Sequence, residues 1–327
     1  MSSIETVDLT KRFGDVTAVD SLNLRVESGE VFGLLGPNGA GKTTTLSILC
    51  TILKPTSGSA SVNGHGVTDE PSDVRKSIGI VFQDPSLDNR LTGRENMEMH
   101  AELYNVDRHM QKKRIKELLE LVELTSRADE PVKNYSGGMK RRLEIARGLI
   151  HRPNILFLDE PTLGLDPQTR GKIWEYIRKL PSEENITIVL TTHYMEEAEM
   201  LCDRVGIIDH GRIVALGQPR QLIKDIGEDI VSLKLGDKSR AEAFKQLSFV
   251  KNVKVGETVR LVVEDGAEAT PRICEFATQN NIKLRSLELR TPTLNDVFLY
   301  HVGRELREEN ANSRDRMKSM MRRRGGR

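Results

Sequence analysis

Gly36-Pro37-Asn38-Gly39-Ala40-Gly41-Lys42-Thr43 constrains the fold of this chain more than any other segment. It fits the pattern G-x-x-x-x-G-K-[ST]. The apolar run Val31–Leu35 precedes it and a helix-compatible stretch, residues 44–53, follows it, which is the strand–loop–helix context the pattern needs. The glycines let the backbone wrap closely enough for its N–H groups to point at phosphate oxygens. The start of the helix adds a dipole of the right sign. In such a loop Lys42 reaches β- and γ-phosphates and the Thr43 hydroxyl binds Mg²⁺.

Apolar runs of strand length recur around the loop. Ile78-Gly79-Ile80-Val81-Phe82, Ile155-Leu156-Phe157-Leu158 and Ile186-Thr187-Ile188-Val189-Leu190 are nearly continuous in apolar residues. That is the pattern of strands covered on both faces, as in a mainly parallel sheet. Between them, Ile115, Leu118, Leu119 and Val122 fall at i, i+3, i+4 and i+7 among Lys and Glu, one face of an amphipathic helix. Trp174, Ile177 and Arg178 belong to another helix, which Pro181 is expected to end. The segment from Thr6 to Val26, with Gly14-Asp15 between two β-rich runs, reads as an antiparallel hairpin at one side. This order predicts an α/β fold.

Asp159-Glu160 follows the run 155–158 directly. Four apolar residues put Asp159 at the C-terminal edge of a strand, where α/β sheets place their ligands. Asp159 is expected to complete the Mg²⁺ shell, partly through water, and Glu160 to polarise an attacking water. Standing alone, such a pair would read as the N-cap of the next helix. Beside a phosphate loop it reads as metal and water chemistry.

Composition narrows the class further. The 327 residues carry 49 Lys+Arg against 48 Asp+Glu, a formal net charge of +1. That balance excludes a globally basic nucleic-acid binder, though not a local patch. No apolar run approaches the ~18–20 residues of a membrane span. Met1-Ser2-Ser3-Ile4-Glu5 lacks the basic start and apolar stretch of a secretory leader, so none is expected. Cys50, Cys202 and Cys274 form no CxxC pair and read as small buried hydrophobes of a cytosolic protein.

Asn134-Tyr135-Ser136-Gly137-Gly138-Met139 opens a further helix, and Asp159-Glu160-Pro161-Thr162, Gly164-Leu165-Asp166 and Thr191-Thr192-His193 come after it. This order over the first two-thirds of the chain resembles the ATP-binding cassette (ABC) ATPases. The resemblance implies a P-loop NTPase fold with antiparallel β and helical subdomains, and ATP with Mg²⁺ as ligands. Phe13 matches the aromatic that stacks on adenine. Gly36, Asn38, Gly39, Ala40, Gly41, Lys42, Thr43 and Thr44 match the phosphate loop. Gln83, after the run 78–82, matches the glutamine that contacts Mg²⁺ and the attacking water. Ser136, Gly137 and Gly138 match the signature that contacts the γ-phosphate of ATP held by the opposite subunit. Asp166 matches the loop that faces that dimer interface, and His193 the histidine that holds the γ-phosphate. By position alone Gln83 would be an ordinary polar strand end and His193 a structural histidine. Two departures stand out: Tyr135 replaces the usual Leu and Met139 the usual Gln. Tyr135–Met139 followed by Lys140-Arg141-Arg142-Leu143, together with Leu91-Thr92-Gly93-Arg94-Glu95-Asn96, resembles the daunorubicin-resistance subgroup that drives type-2 exporters. Thr291-Pro292-Thr293-Leu294-Asn295-Asp296-Val297-Phe298 resembles it too. In that setting the chain is a homodimeric ATP hydrolase at the cytoplasmic face of the membrane. Its partner is an integral membrane permease, docked around residues 83–96. Its cargo is drug-like or lipophilic, and no nucleic-acid partner is expected. The alternative is a non-transport ABC ATPase acting on ribosomes or nucleic acid.

The pattern changes after the nucleotide-binding region, placed at residues 1–221. Residues 222–307 are expected to form a smaller α+β domain. Strand at 230–235, helix at 240–247, strands at 253–255 and 258–263, helix at 269–280 and strand at 282–289 give βαββαβ, the ferredoxin-like order. A last helix is expected near residues 294–307. The tail 308–327, rich in Arg, reads as disordered chain whose charge would also suit an anionic membrane surface or RNA.

Overall fold

A computed structural model describes residues 2–256 and 258–302. The expected tail and the far end of the last helix lie outside those residues. The chain divides into two compact units between Pro219 and Arg220.

In the first unit, β1 (Ser2–Phe13) and β2 (Val16–Glu27) form the expected hairpin around Gly14. After β3 (Val31–Leu35) and α1 (Lys42–Leu49), β4 (Ser57–Val62) and β5 (His65–Gly66) complete an antiparallel sheet in the order β2-β1-β4-β5. The helix α2 (Pro71–Ser77) leads into β6 (Ile78–Val81). Three helices follow: α3 (Gly93–Leu103), α4 (Arg108–Leu121) and α5 (Gly137–Gly148). Then come β7 (Ile155–Asp159), α6 (Pro167–Glu184), β8 (Thr187–Thr192), α7 (Met195–Leu201), β9 (Arg204–Asp209) and β10 (Arg212–Gly217). The main sheet has the order β10-β9-β3-β8-β7-β6. Every pairing from β9 to β6 is parallel, and β10 closes one edge antiparallel. All residues of β3, β7 and β8 are buried, as continuous apolar strands with both faces covered require. On α4, Ile115, Leu118 and Leu119 are buried as their spacing demands.

Register decides what this sheet can do. Leu35 pairs with Thr192, Asp159 with Thr191 and Val81 with Leu158. Four parallel strands therefore end in line. The residues just beyond them, Gly36, Glu160, His193 and Gln83, arrive at one edge.

One expectation fails here. Pro181 does not end its helix: α6 continues to Glu184, and Asn185 closes it in the left-handed conformation at φ 51°. Proline forfeits the bond its own nitrogen would donate. The turn around it is anchored from outside. The buried Arg114 guanidinium donates to Glu184 at 3.1 and 2.6 Å and to the Leu149 carbonyl at 2.9 Å. A second concerns cysteine. Cys50 and Cys202 are buried, and burial pushes both thiols up, but Cys274 is exposed. Its place on the helix Gly266–Gln279 faces solvent rather than the core.

The helix α8 (Pro219–Ile226) starts at the division and leads, in the second unit, to β11 (Asp229–Leu235). Then come β12 (Val250–Val255), β13 (Val259–Val263), α9 (Gly266–Gln279), β14 (Leu284–Arg290) and α10 (Leu294–Val302). The sheet order β12-β13-β11-β14, with all pairings antiparallel, is the split-βαβ arrangement. The first crossover helix, Lys238–Gln246, is a 3₁₀ helix. Ala241, Phe244 and Leu247 are three apart and pack on the unit's core, the spacing that lines up on a three-residue turn.

Replacing Glu184 with Ala should cost about 2 kcal/mol or more in urea unfolding, because it strands the Arg114 charge in a buried position. Glu184→Gln should lose less, since its amide oxygen still accepts. An unchanged midpoint for both variants would remove the anchor from the account.

Candidate active site

The phosphate loop takes its shape from a close approach. Gly41 sits at φ 107°, and a Cβ there would lie 2.3 Å from the Ala18 carbonyl oxygen. Only glycine fits that position. The loop then feeds α1, whose Thr45 N–H donates to the Gly41 carbonyl at 2.9 Å.

Lys42, Thr43, Thr44, Gln83, Glu160 and His193 line one cleft of about 290 Å³ with Asn38, Gly39 and Gly41. Lys42 is 6% exposed. Its amine donates to the Gly36 and Pro37 carbonyls at 2.8 and 3.1 Å and lies 3.6 Å from a Glu160 oxygen. Desolvation lowers the Lys42 pKa, and the carboxylates of Glu160 and Asp159 oppose that. A buried cation folded back on loop carbonyls suits a loop that takes an anion. Thr43 Oγ1 is 3.5 Å from Asp159 Oδ1, so a hydroxyl and a carboxylate face each other as a hard-cation donor set requires.

Glu160 is the strained member. It is 7% exposed and holds φ 49°, a left-handed conformation that costs a non-glycine residue about 1–3 kcal/mol. Its N–H donates to both oxygens of Thr191, at 3.2 Å (carbonyl) and 3.0 Å (hydroxyl). Its carboxylate lies 2.5 Å from His193 Nδ1. Thr191 Oγ1 in turn donates to Asp159 Oδ1 at 2.5 Å. The motif Thr191-Thr192-His193 gives Thr191 no role of its own, although it stands two residues before His193 at the end of an apolar strand. It fixes both members of the Asp-Glu pair. Glu197, fully buried, is another residue the motifs do not mark. Its Oε1 accepts from Thr162 Oγ1 at 2.7 Å and from Trp174 Nε1 at 2.9 Å.

Other expected residues lie outside this cleft. Phe13 is half exposed, with the Lys11 amine 5.1 Å from its ring centre. Ser136 caps α5, its Oγ accepting from Met139 N–H at 3.3 Å. Asp166 caps α6, binding Thr169 N–H at 3.0 Å and Thr169 Oγ1 at 2.6 Å. The first turns of these two helices meet. A Cβ on Gly138 would lie 2.3 Å from Thr169 Cγ2. The departure at Tyr135 also has a contact. Its hydroxyl donates to the Arg127 carbonyl at 2.7 Å and would lie 2.3 Å from a Cβ on Gly93. Tyr135 and the Leu91–Asn96 segment are thus one packing unit.

The ABC transporter family model matches residues 19–163, and the model of the DrrA1-3-like C-terminal domain of ATP-binding proteins matches residues 217–302. The daunorubicin/doxorubicin resistance ATP-binding protein DrrA of Streptomyces peucetius is 40% identical over 307 residues, 92% of each chain. The chain belongs to the ABC transporter ATP-binding proteins. It is an ATPase of that class. The linearmycin resistance ATP-binding protein LnrL of Bacillus subtilis (strain 168) is 38% identical, over 93% of this chain and 100% of that one. A Nod factor export ATP-binding protein I from Burkholderia thailandensis is 41% identical, over 94% and 99%. A solved ATP-binding cassette, dimeric in a post-hydrolysis state with ADP and Pi, superposes with a TM-score of 0.60. It is 30% identical over 66% of this ABC chain and 98% of its own.

Gly138→Ala should destabilise the first unit by about 1–3 kcal/mol through the clash with Thr169. Thr169→Ser removes that methyl and keeps the hydroxyl. Adding it to Gly138→Ala should recover most of the loss in urea midpoint. Additive losses in the double variant would contradict the packing assignment.

Proposed function

We propose that two copies of this chain close head to tail around two Mg-ATP, hydrolyse them and open again, driving a separate membrane permease. One observation carries this reading. The cleft gathers Lys42, Thr43, Gln83, Glu160 and His193, while Ser136 and Gly137 of the same chain are exposed outside it. Those two residues begin a helix, and with the Ser136 hydroxyl they form an anion site. A second copy gives that site an anion to bind.

In the cleft, Lys42 and the loop N–H groups neutralise the β- and γ-phosphates. Thr43, Gln83 and Asp159 are the residues that would hold Mg²⁺, which supplies charge neutralisation at the phosphates. Glu160 orients the attacking water and takes its proton, and His193 holds the γ-phosphate side and steadies the Glu160 carboxylate. Phe13 is assigned to adenine stacking and Asp166 to the contact between copies. The domain limits 1–221 and 222–307, with residues 308–327 as tail, complete the proposal. The relatives are described as resistance and export proteins, which supports export of drug-like or lipophilic cargo. No helix among the described residues is long and apolar enough to cross a membrane. The permease is therefore assigned to a different chain, docked around residues 83–96, with this chain at the cytoplasmic face.

Glu160→Gln should keep ATP binding and lower steady phosphate release about 100-fold or more. It should also raise the mass in light scattering to that of a dimer when Mg-ATP is added. Phosphate release at the parental rate would refute the assigned role.

A further inference from the structure

Helix α5 carries three buried charges on one face. Arg141, Glu144 and Arg147, spaced by three, are 7%, 3% and 8% exposed. Buried charges are expensive to desolvate, and apolar residues of similar size would pack there at lower cost. Their partners explain their presence. Arg147 donates to the Ser86 carbonyl at 2.7 Å and to the Ser86 hydroxyl, and Glu144 accepts from Ser86 N–H at 2.7 Å. Arg141 donates to the Phe82 carbonyl at 2.6 Å. The segment 82–86, which contains Gln83 and has no regular secondary structure, is thus gripped at both ends by α5. The same Arg141 guanidinium donates to the carbonyls of Asp159 at 2.9 Å, Glu160 at 3.2 Å and Pro161 at 2.8 Å. Its Nη1 also donates to Glu144 at 3.2 Å. One planar fork therefore touches the backbone on both sides of the cleft's water-handling groups.

We propose that Arg141, braced by Glu144, is the positioning residue that holds Gln83 and the strained Glu160 in register. It gears both to the helix that begins at Ser136. The inference rests on the water-activating role assigned to Glu160. Arg141 does not line the cleft, so its effect falls on the chemical step. A lysine keeps the charge, but a single ammonium cannot replace a five-donor fork spread over four carbonyls.

The test is steady-state phosphate release by the full chain carrying Arg141→Lys, with Glu160→Gln measured beside it and circular dichroism confirming the fold. Misplacing either group by a fraction of an ångström should lower kcat about 10- to 100-fold, while KM for ATP stays within about twofold. A merely structural arginine would lower apparent kcat only in proportion to the folded fraction read by circular dichroism, leaving kcat per folded chain at the parental value. Should Arg141→Lys fail to fold, Glu144→Gln loosens the brace while leaving an acceptor for Ser86. It should then show the same split at about three- to tenfold. A folded variant with parental kcat, or one whose kcat and KM shift together, overturns the inference. If Glu160→Gln is inactive in that experiment, the water-activating reading survives alone. Parental turnover by Glu160→Gln overturns both.

Discussion

The alignment of four parallel strand ends is the constraint on which the site depends. β3, β8, β7 and β6 stop in register, so a phosphate loop, a histidine, an acid pair and a glutamine meet although up to 157 positions separate them (Gly36 to His193). A one-residue slip in a strand would turn each functional side chain to the wrong face. The fully buried β3, β7 and β8 resist such a slip, because apolar packing above and below sets their register.

Charge at that edge is balanced internally. Lys42 rests against loop carbonyls and the Glu160 carboxylate, His193 against the same carboxylate, and Asp159 against Thr191. Each contact satisfies a buried group that an entering anion or cation would engage instead. The backbone strain at Glu160 is held from both sides, by Thr191 on its N–H and by Arg141 on its carbonyl. Strain persists where neighbours over-determine the conformation, and here that conformation aims the carboxylate at the cleft.

Most of this was legible because the chemistry requires short, contiguous patterns. The loop 36–43, the apolar run before Asp159-Glu160 and the βαββαβ order are written locally, and local propensity agrees with tertiary structure in each. The hidden parts depend on partners distant in sequence. Pro181 stays helical because of Arg114 on another helix. Thr191 looks like one more β-branched strand residue until Asp159 lies beside it. Nothing local in Lys140-Arg141-Arg142 marks which residue turns inward; Arg141 does, in phase with the buried Gly138 and Glu144. Tyr135 and Gly93 stand in separate motifs until the tyrosine hydroxyl is seen to occupy the space a Gly93 side chain would fill.

If two copies close as proposed, this cleft is half of a site, completed by Ser136 of another copy. Cys50 and Cys202 are buried and Cys274 is exposed, so Cys274→Ser leaves a chain without an accessible thiol among the described residues. Asn38→Cys and Ser136→Cys, both at exposed positions, can be placed in that chain together with Glu160→Gln and treated with a short thiol cross-linker. A covalent dimer should form with Mg-ATP and not without it. Bound nucleotide with no cross-link between copies, or equal cross-linking with and without nucleotide, would contradict it.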